Sequence, residues 1–69
     1  MTFAKAFGQR IHALRQQAQL TQEQLCERAD IDRSYIQRIE AGLRTPSVEV
    51  VVKLQKALKC DWEDLFRNF

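Results

Sequence analysis

The segment LTQEQLCERADIDRSYIQRIEAG, residues 20–42, contains two helix-start signals that lie eleven positions apart. At the first, Thr21 is a favourable N-cap and Gln24 completes a capping box, in which each side chain accepts the backbone N–H of the other residue. At the second, Asp32 is a favourable N-cap. The segment therefore predicts a short helix that begins at Thr21 and ends near residue 29, a tight turn, and a second helix that begins at Asp32.

Apolar residues around the two caps support both predicted helices. Leu20 and Leu25 lie at the positions of a hydrophobic staple, and Ile31 and Ile36 repeat that spacing around the second cap. Gly42 ends the second helix, because glycine readily adopts the left-handed conformation found just after a helix.

Three further helices are predicted outside this segment. The first runs from about Phe3 to Ala18, with Gly8 permitting the close approach of a neighbouring element. Another follows Ser47 and ends near residue 58, and the last begins at Asp61. Five short helices, very short turns and the absence of a strand pattern predict a compact all-α five-helix domain over residues 1–69.

Composition narrows the class of protein. The chain has 69 residues and a net charge of +2, and its basic residues concentrate in the centre while acidic residues cluster near residue 61. Cys26, Cys60 and the single histidine, His12, are scattered, so we expect two small buried thiols and neither a disulfide framework, a metal site nor a cofactor. The longest apolar run, residues 50–52, is far too short for a membrane span, and no signal peptide is evident. We therefore expect a cytoplasmic protein.

The outer face of the predicted helix after Asp32 carries the strongest functional signal. With Ile36 and Ile39 facing inward, its outward positions hold Arg33, Ser34, Gln37 and Arg38. An α-helix fits the major groove of DNA, where Arg reads guanine and Gln reads adenine. This pattern favours sequence-specific DNA binding over an ordinary solvated polar face.

These residues resemble a known family, the phage repressor and Cro type of helix-turn-helix regulator (XRE-like). The resemblance is carried by LTQEQL at 20–25 and IDRSYIQRIEAG at 31–42, by Pro46–Ser47 and DWEDLF at 61–66, and by Gly8, Arg10–Ile11 and Leu14–Arg15. Within the family, the DRSYI sequence at 32–36 is similar to that of controller proteins of restriction–modification systems, although many other regulators share it.

The resemblance implies specific roles on double-stranded DNA. It implies that the third helix enters the major groove, with the base-reading positions held by Arg33, Ser34, Gln37 and Arg38. It implies that Gln22 and Arg44 contact phosphates, and the free N–H groups at a helix N-terminus favour an anion beside Gln22. For Tyr35 it implies contact with the DNA backbone or with a thymine methyl group.

The same resemblance implies a structural salt bridge between Arg15 and Glu40, which removes Glu40 from the base-reading set. Two positions depart from the family pattern. Asp30 stands where glycine is usual, and Asp tolerates a left-handed backbone better than most residues. Cys26 stands where a small alanine is common, and cysteine is small and apolar enough to fit.

A second surface is expected along the fourth and fifth predicted helices. Apolar residues cover about 220° of the fourth helix, wider than the stripe that one core requires, and aromatic residues follow it. We expect a homodimer interface formed by Val48, Val52, Trp62, Leu65, Phe66 and Phe69. The alternative is that the aromatic residues close the small core.

The sequence therefore predicts a homodimeric transcription regulator that binds a roughly palindromic operator, with no small-molecule effector evident. An enzyme is not expected, because no catalytic motif is present and His12 is expected at the surface without a partner. The main alternative is an antitoxin-like or protein-interaction module with the same fold, which would bind a protein partner in place of DNA.

Overall fold

The computed structural model describes all 69 residues and contains five α-helices and no strand. The helices are α1 (Phe3–Gln17), α2 (Gln22–Ala29), α3 (Arg33–Glu40), α4 (Val48–Leu58) and α5 (Trp62–Phe66). The predicted all-α five-helix fold is therefore confirmed, with α1 ending one residue earlier than expected because Ala18 is its C-cap.

Local capping explains where α2 begins. Thr21 Oγ1 accepts the N–H of Gln24 at 3.0 Å, and Gln24 Oε1 accepts the N–H of Thr21 at 2.9 Å. Both bonds of the predicted capping box are thus formed.

The start of α3 differs from the prediction. Asp32 occupies the N-cap position, but its side chain forms no capping hydrogen bond. Its backbone, with φ of −57° and ψ of 139°, departs from the more extended geometry of the Thr21 cap, where ψ is 165°. Helix α3 is instead anchored by Ile36 and Ile39, which are both fully buried.

The turn between α2 and α3 depends on a left-handed residue. Asp30 has φ of 55° and ψ of 52°, and its N–H donates to the carbonyl of Cys26. The N–H of Ile31 donates to the same carbonyl at 3.1 Å. Asp30 therefore adopts the conformation that the usual glycine would provide.

The core lies between α1, α3 and the α2–α4 pair. Helix α1 approaches α3 closely at Gly8, where a Cβ atom would overlap the carbonyl oxygen of Ile39. Cys26 and Ala29 are small and buried on α2. Cys26 and Cys60 are both free thiols, but only Cys26 is buried and Cys60 is half-buried, so the expectation of two buried thiols is wrong for Cys60.

Leu65 corrects the predicted interface. Its side chain is fully buried in the core, so it is inaccessible to a second molecule. In a five-residue helix, the one inward position is taken by Leu65, and its neighbours Trp62 and Phe66 remain exposed.

The C-terminal residues pack onto α1 through contacts that the sequence analysis missed. Arg10 donates to the carbonyls of Asp64 at 2.7 Å and Arg67 at 2.6 Å, and its guanidinium lies 5.0 Å from the centre of the Phe69 ring. Phe69 also meets Phe3 edge-on, with 5.7 Å between ring centres. The alternative that aromatic residues close the core therefore applies in part, since Phe69 covers one end of α1.

Candidate DNA-binding surface

Helix α3 separates an apolar face from a polar one. Ile36 and Ile39 are fully buried, whereas Arg33, Ser34, Gln37 and Arg38 are exposed. The hydrogen-bonded side chains of this helix are Tyr35 and Glu40. The four exposed side chains therefore keep their polar groups available for a ligand, and an α-helix is of a size that the major groove accommodates.

The base of α3 is joined to α1 by a nearly buried ion pair. Arg15 donates to Glu40 in a bidentate arrangement, with Nε 2.7 Å from Oε2 and Nη2 3.0 Å from Oε1. Arg15 also donates to the carbonyl of Leu20 at 2.9 Å. The salt bridge implied by the resemblance is thus present, and it joins the last turn of α1 to the last residue of α3.

Burial and partners act in opposite directions on this pair. Burial alone would raise the pKa of Glu40, but the hydrogen bonds from Arg15, His12 and Gln22 outweigh it and lower the pKa of the carboxyl below its usual value. The hydrogen bond to Glu40 raises the pKa of Arg15 in spite of desolvation. Glu40 is therefore ionised and satisfied at neutral pH.

Two further side chains meet Glu40 Oε1, and neither contact was predicted from the sequence. Gln22 Nε2 donates to this oxygen at 3.2 Å, so the residue implied to contact a phosphate is also held by α3. His12 Nδ1 lies 3.0 Å from Oε1. The expectation that His12 lacks a partner is therefore wrong, although its side chain is about half exposed. Its spacing of three residues from Arg15, one helical turn, was the available signal.

The loop after α3 contacts Tyr35 of the same helix. The guanidinium of Arg44 lies over the Tyr35 ring, 4.6 Å from its centre, and the Tyr35 hydroxyl accepts the N–H of Ser47 at 3.4 Å. Burial acts to raise the pKa of Tyr35, but the bonds from Ser47 and the charge of Arg44 outweigh it and lower the pKa below the usual value. Arg44 is exposed to solvent although its guanidinium contacts the Tyr35 ring.

An apolar groove of about 300 Å³ lies between α4 and α5. Its lining residues are Phe3, Pro46, Val48, Val51, Val52, Trp62 and Phe66. The structure thus brings together four of the residues expected at a dimer interface: Val48, Val52, Trp62 and Phe66. Phe69 does not itself line the groove but packs on Phe3 and Phe66, which do, while Leu65 lies in the core.

Comparison with known proteins identifies the family of the chain. A family model described as helix-turn-helix matches residues 11–65. This chain belongs to the helix-turn-helix family. In this chain, α2 and α3 and the tight turn at Asp30 form the motif.

Solved and curated relatives add detail. The crystal structure of the restriction–modification controller protein C.AhdI from Aeromonas hydrophila superposes with a TM-score of 0.87 at 38% identity, covering 91% of this chain and 96% of the controller. The control protein C.BamHI of Bacillus amyloliquefaciens is 37% identical over 86% of this chain and 74% of its own length. The immunity repressor of Bacillus phage phi105 is 43% identical over 74% of this chain and 35% of its own length.

The match to longer regulators is partial. An uncharacterized helix-turn-helix transcriptional regulator of Mycobacterium tuberculosis is 36% identical over 86% of this chain but only 42% of its own length. The chain thus spans less than half of that relative. The relatives that this helix-turn-helix protein resembles are named as transcriptional regulators, a repressor and control proteins. None of its helices is long and apolar enough to cross a membrane.

Proposed function

We propose that this regulator binds a roughly palindromic operator in double-stranded DNA as a homodimer, with α3 in the major groove, and that it acts in the cytoplasm. The observation that carries the proposal is the exposed row of Arg33, Ser34, Gln37 and Arg38 on a helix whose opposite face is anchored in the core. Arg and Gln present bidentate donors that match guanine and adenine edges. Ser34 is short enough to allow the helix backbone to approach the bases.

Backbone contacts would position α3 in the groove. Gln22 is the first residue of α2, where unpaired N–H groups and the helix dipole favour a phosphate. Arg44 follows α3, in the loop that leads to α4. Phosphate contacts by Gln22 and Arg44 would fix the orientation of the reading helix without adding sequence preference.

The apolar groove supports dimerisation. Val48 and Trp62 are large apolar residues that stay 81% and 47% exposed at its rim, although burying them would be favourable. A two-fold interface across α4 and α5 would cover both copies of the groove. Two α3 helices about 34 Å apart would then meet half-sites one DNA turn apart.

Selection of bound sequences from a random duplex pool tests the proposal. We expect enrichment of a motif with two inverted half-sites whose centres are about one helical turn apart. Enrichment of a single half-site would support base reading but overturn the dimer. If no sequence is enriched even at low salt, where phosphate contacts are strongest, the protein-interaction alternative would replace DNA readout.

A second candidate concerns the genes that are regulated. Two relatives match most of this chain. C.AhdI is named as a restriction–modification controller protein, and C.BamHI is named as a control protein. We propose that this chain is a regulator of the same kind, and that its selected operator occurs upstream of its own gene and of a linked endonuclease gene. Footprinting on those upstream regions would show protection, and protection only at unlinked promoters would contradict the candidate.

A further inference from the structure

Tyr35 occupies an unusual place on α3, because it is the half-buried aromatic residue in a row of exposed polar side chains. The resemblance implied that it touches DNA. In the structure its ring and hydroxyl are both engaged by the following loop: Arg44 covers the ring at 4.6 Å, and the N–H of Ser47 donates to the hydroxyl at 3.4 Å.

We propose that Tyr35 is a positioning residue that holds Arg44 against α3, so that the phosphate contact of Arg44 is prepared before DNA arrives. The inference rests on the proposed function, in which Arg44 contacts a phosphate. It assigns to Tyr35 an indirect role in DNA binding, exerted through Arg44, in place of a contact with the DNA backbone or a base.

The physical basis is the cost of ordering a long side chain. An exposed arginine samples many rotamers, and binding a phosphate would require it to lose that freedom at the interface. A cation–π contact restricts the guanidinium to the face of one ring while leaving its N–H groups free to donate. The bond from Ser47 fixes the ring in turn, because Ser47 is the N-cap of α4 and its own Oγ accepts the N–H of Val50 at 3.2 Å.

The first arm of the test measures the contact in the free protein. The chain has one tyrosine, so its ionisation can be followed separately by ultraviolet absorption. Because Arg44 contributes to the lowered pKa of Tyr35, we expect Arg44→Ala to raise that pKa. An unchanged titration would show that the guanidinium does not remain on the ring, which would overturn the inference.

The second arm is a double-mutant cycle on binding to the selected operator. We expect Tyr35→Leu to weaken binding by about two- to five-fold, the effect of an exposed cation–π contact. In an Arg44→Ala background the same change should have almost no effect, because the residue through which Tyr35 acts is gone. Tyr35→Phe keeps the ring under Arg44 but loses the hydroxyl that accepts the N–H of Ser47, so it should weaken binding less than Tyr35→Leu does.

Salt dependence distinguishes the roles of Tyr35 and Arg44. The slope of log affinity against log salt counts the phosphates that the protein neutralises in the complex, so Arg44→Ala should lower the slope by about one. Tyr35→Leu leaves Arg44 able to reach its phosphate, so its slope should stay that of the original protein while its affinity falls. A purely structural defect would instead lower thermal stability and weaken binding equally in the Arg44→Ala background, which would overturn the inference. Thermal melts of both variants, together with Tyr35→Phe as the folded reference, identify that case.

The failure of the inference and the failure of the proposed function give different results. If Tyr35→Leu costs as much in the Arg44→Ala background as alone, Tyr35 itself contacts DNA, and only the inference falls. If Arg44→Ala leaves affinity and salt slope unchanged while the operator is still bound, the phosphate contact of Arg44 and the inference both fall. If the original protein selects no operator at all, the proposed function fails first.

Discussion

At the scale of single residues, substitutions of Arg33 and Arg38 distinguish base reading from a general effect of positive charge. Each is exposed on α3, one near its first turn and one near its last. We expect Arg33→Ala or Arg38→Ala to cost about 1–3 kcal/mol of operator binding and to relax the preference at one base position of the half-site. Repeating the random-pool selection with each variant measures that preference.

Arg67→Ala is a charge-matched control for this prediction. Arg67 is the C-cap of α5 and pairs with Glu63 and Asp64 on the surface. Its removal should leave the selected motif unchanged. If the Arg33 and Arg38 variants also select the original motif, the assignment of these residues to base reading is wrong.

Glu40 makes the stability of the fold depend on pH. Since its folded-state pKa is lowered, the stabilisation that its charge supplies is complete above the ordinary pKa of glutamate and is lost as the pH falls through the lowered value. We expect Glu40→Gln to reduce the free energy of unfolding by about 1.5–3 kcal/mol at neutral pH, the usual worth of hydrogen bonds to a charged group. The difference between the two proteins should shrink on acidification.

Urea unfolding at pH 7 and at pH 3 measures this difference. Glu23→Gln is the matched control, because Glu23 is exposed on α2 and its substitution should have little effect at either pH. A Glu40→Gln deficit of the same size at both pH values would mean that shape, and not charge, explains the contribution of Glu40.

At the scale of elements, the crossing of α1 over α3 depends on the missing side chain at Gly8. A Cβ atom there would meet the backbone carbonyl of Ile39, which cannot move aside as a flexible side chain would. Gly8→Ala gains about 1 kcal/mol of helix propensity, but overpacking against backbone typically costs more. We expect a net loss of about 1–3 kcal/mol in the free energy of unfolding.

Thermal melting followed by circular dichroism tests the Gly8 prediction. Gln9 lies beside Gly8 on the exposed face of α1. As a control, Gln9→Ala should change the free energy of unfolding by less than about 0.5 kcal/mol. If Gly8→Ala melts at a higher temperature than the original protein, α1 and α3 are further apart than the structure places them.

Element boundaries followed local signals closely where those signals were complete. The capping box of Thr21 and Gln24 formed both of its bonds, because it needs only four consecutive residues in the right conformation. The Asp32 cap did not form, since a side-chain cap also requires a backbone geometry that the adjacent turn sets. The inward facing of Ile36 and Ile39 was predictable, because helical periodicity places them on one face.

At the scale of the whole molecule, the groove between α4 and α5 determines the expected assembly. Val48→Asp places a carboxylate in the proposed interface, where burial of an unpaired charge is costly. Val48 is the first residue of α4, so an acidic side chain there is favourable for the isolated helix. We expect this variant to sediment as a folded monomer at concentrations where the original protein is a dimer.

Leu43→Asp is the matched control for the assembly. Leu43 is a similar apolar residue, 78% exposed, but it lies outside the groove. Its substitution should leave the dimer intact. A monomeric original protein at tens of micromolar would contradict the homodimer itself, and a Val48→Asp dimer would place the interface elsewhere.

The sequence by itself determined the five helices and the apolar and polar faces of α3. These features depend on side chains within about one helical turn of each other, so the order of residues is enough to predict them. The Arg15–Glu40 pair came from the family resemblance, because no local pattern connects positions 25 apart.

Only the tertiary structure decided the remaining contacts. It placed Arg10 on the C-terminal carbonyls, His12 and Gln22 on Glu40, Arg44 on Tyr35, and Leu65 in the core. All except the Arg44–Tyr35 contact join residues from different helices or from opposite ends of the chain, and that contact depends on the path of a loop. Such contacts depend on how the helices dock and on the path of the loops. Both are set by packing across the whole core and not by the spacing of residues along the chain.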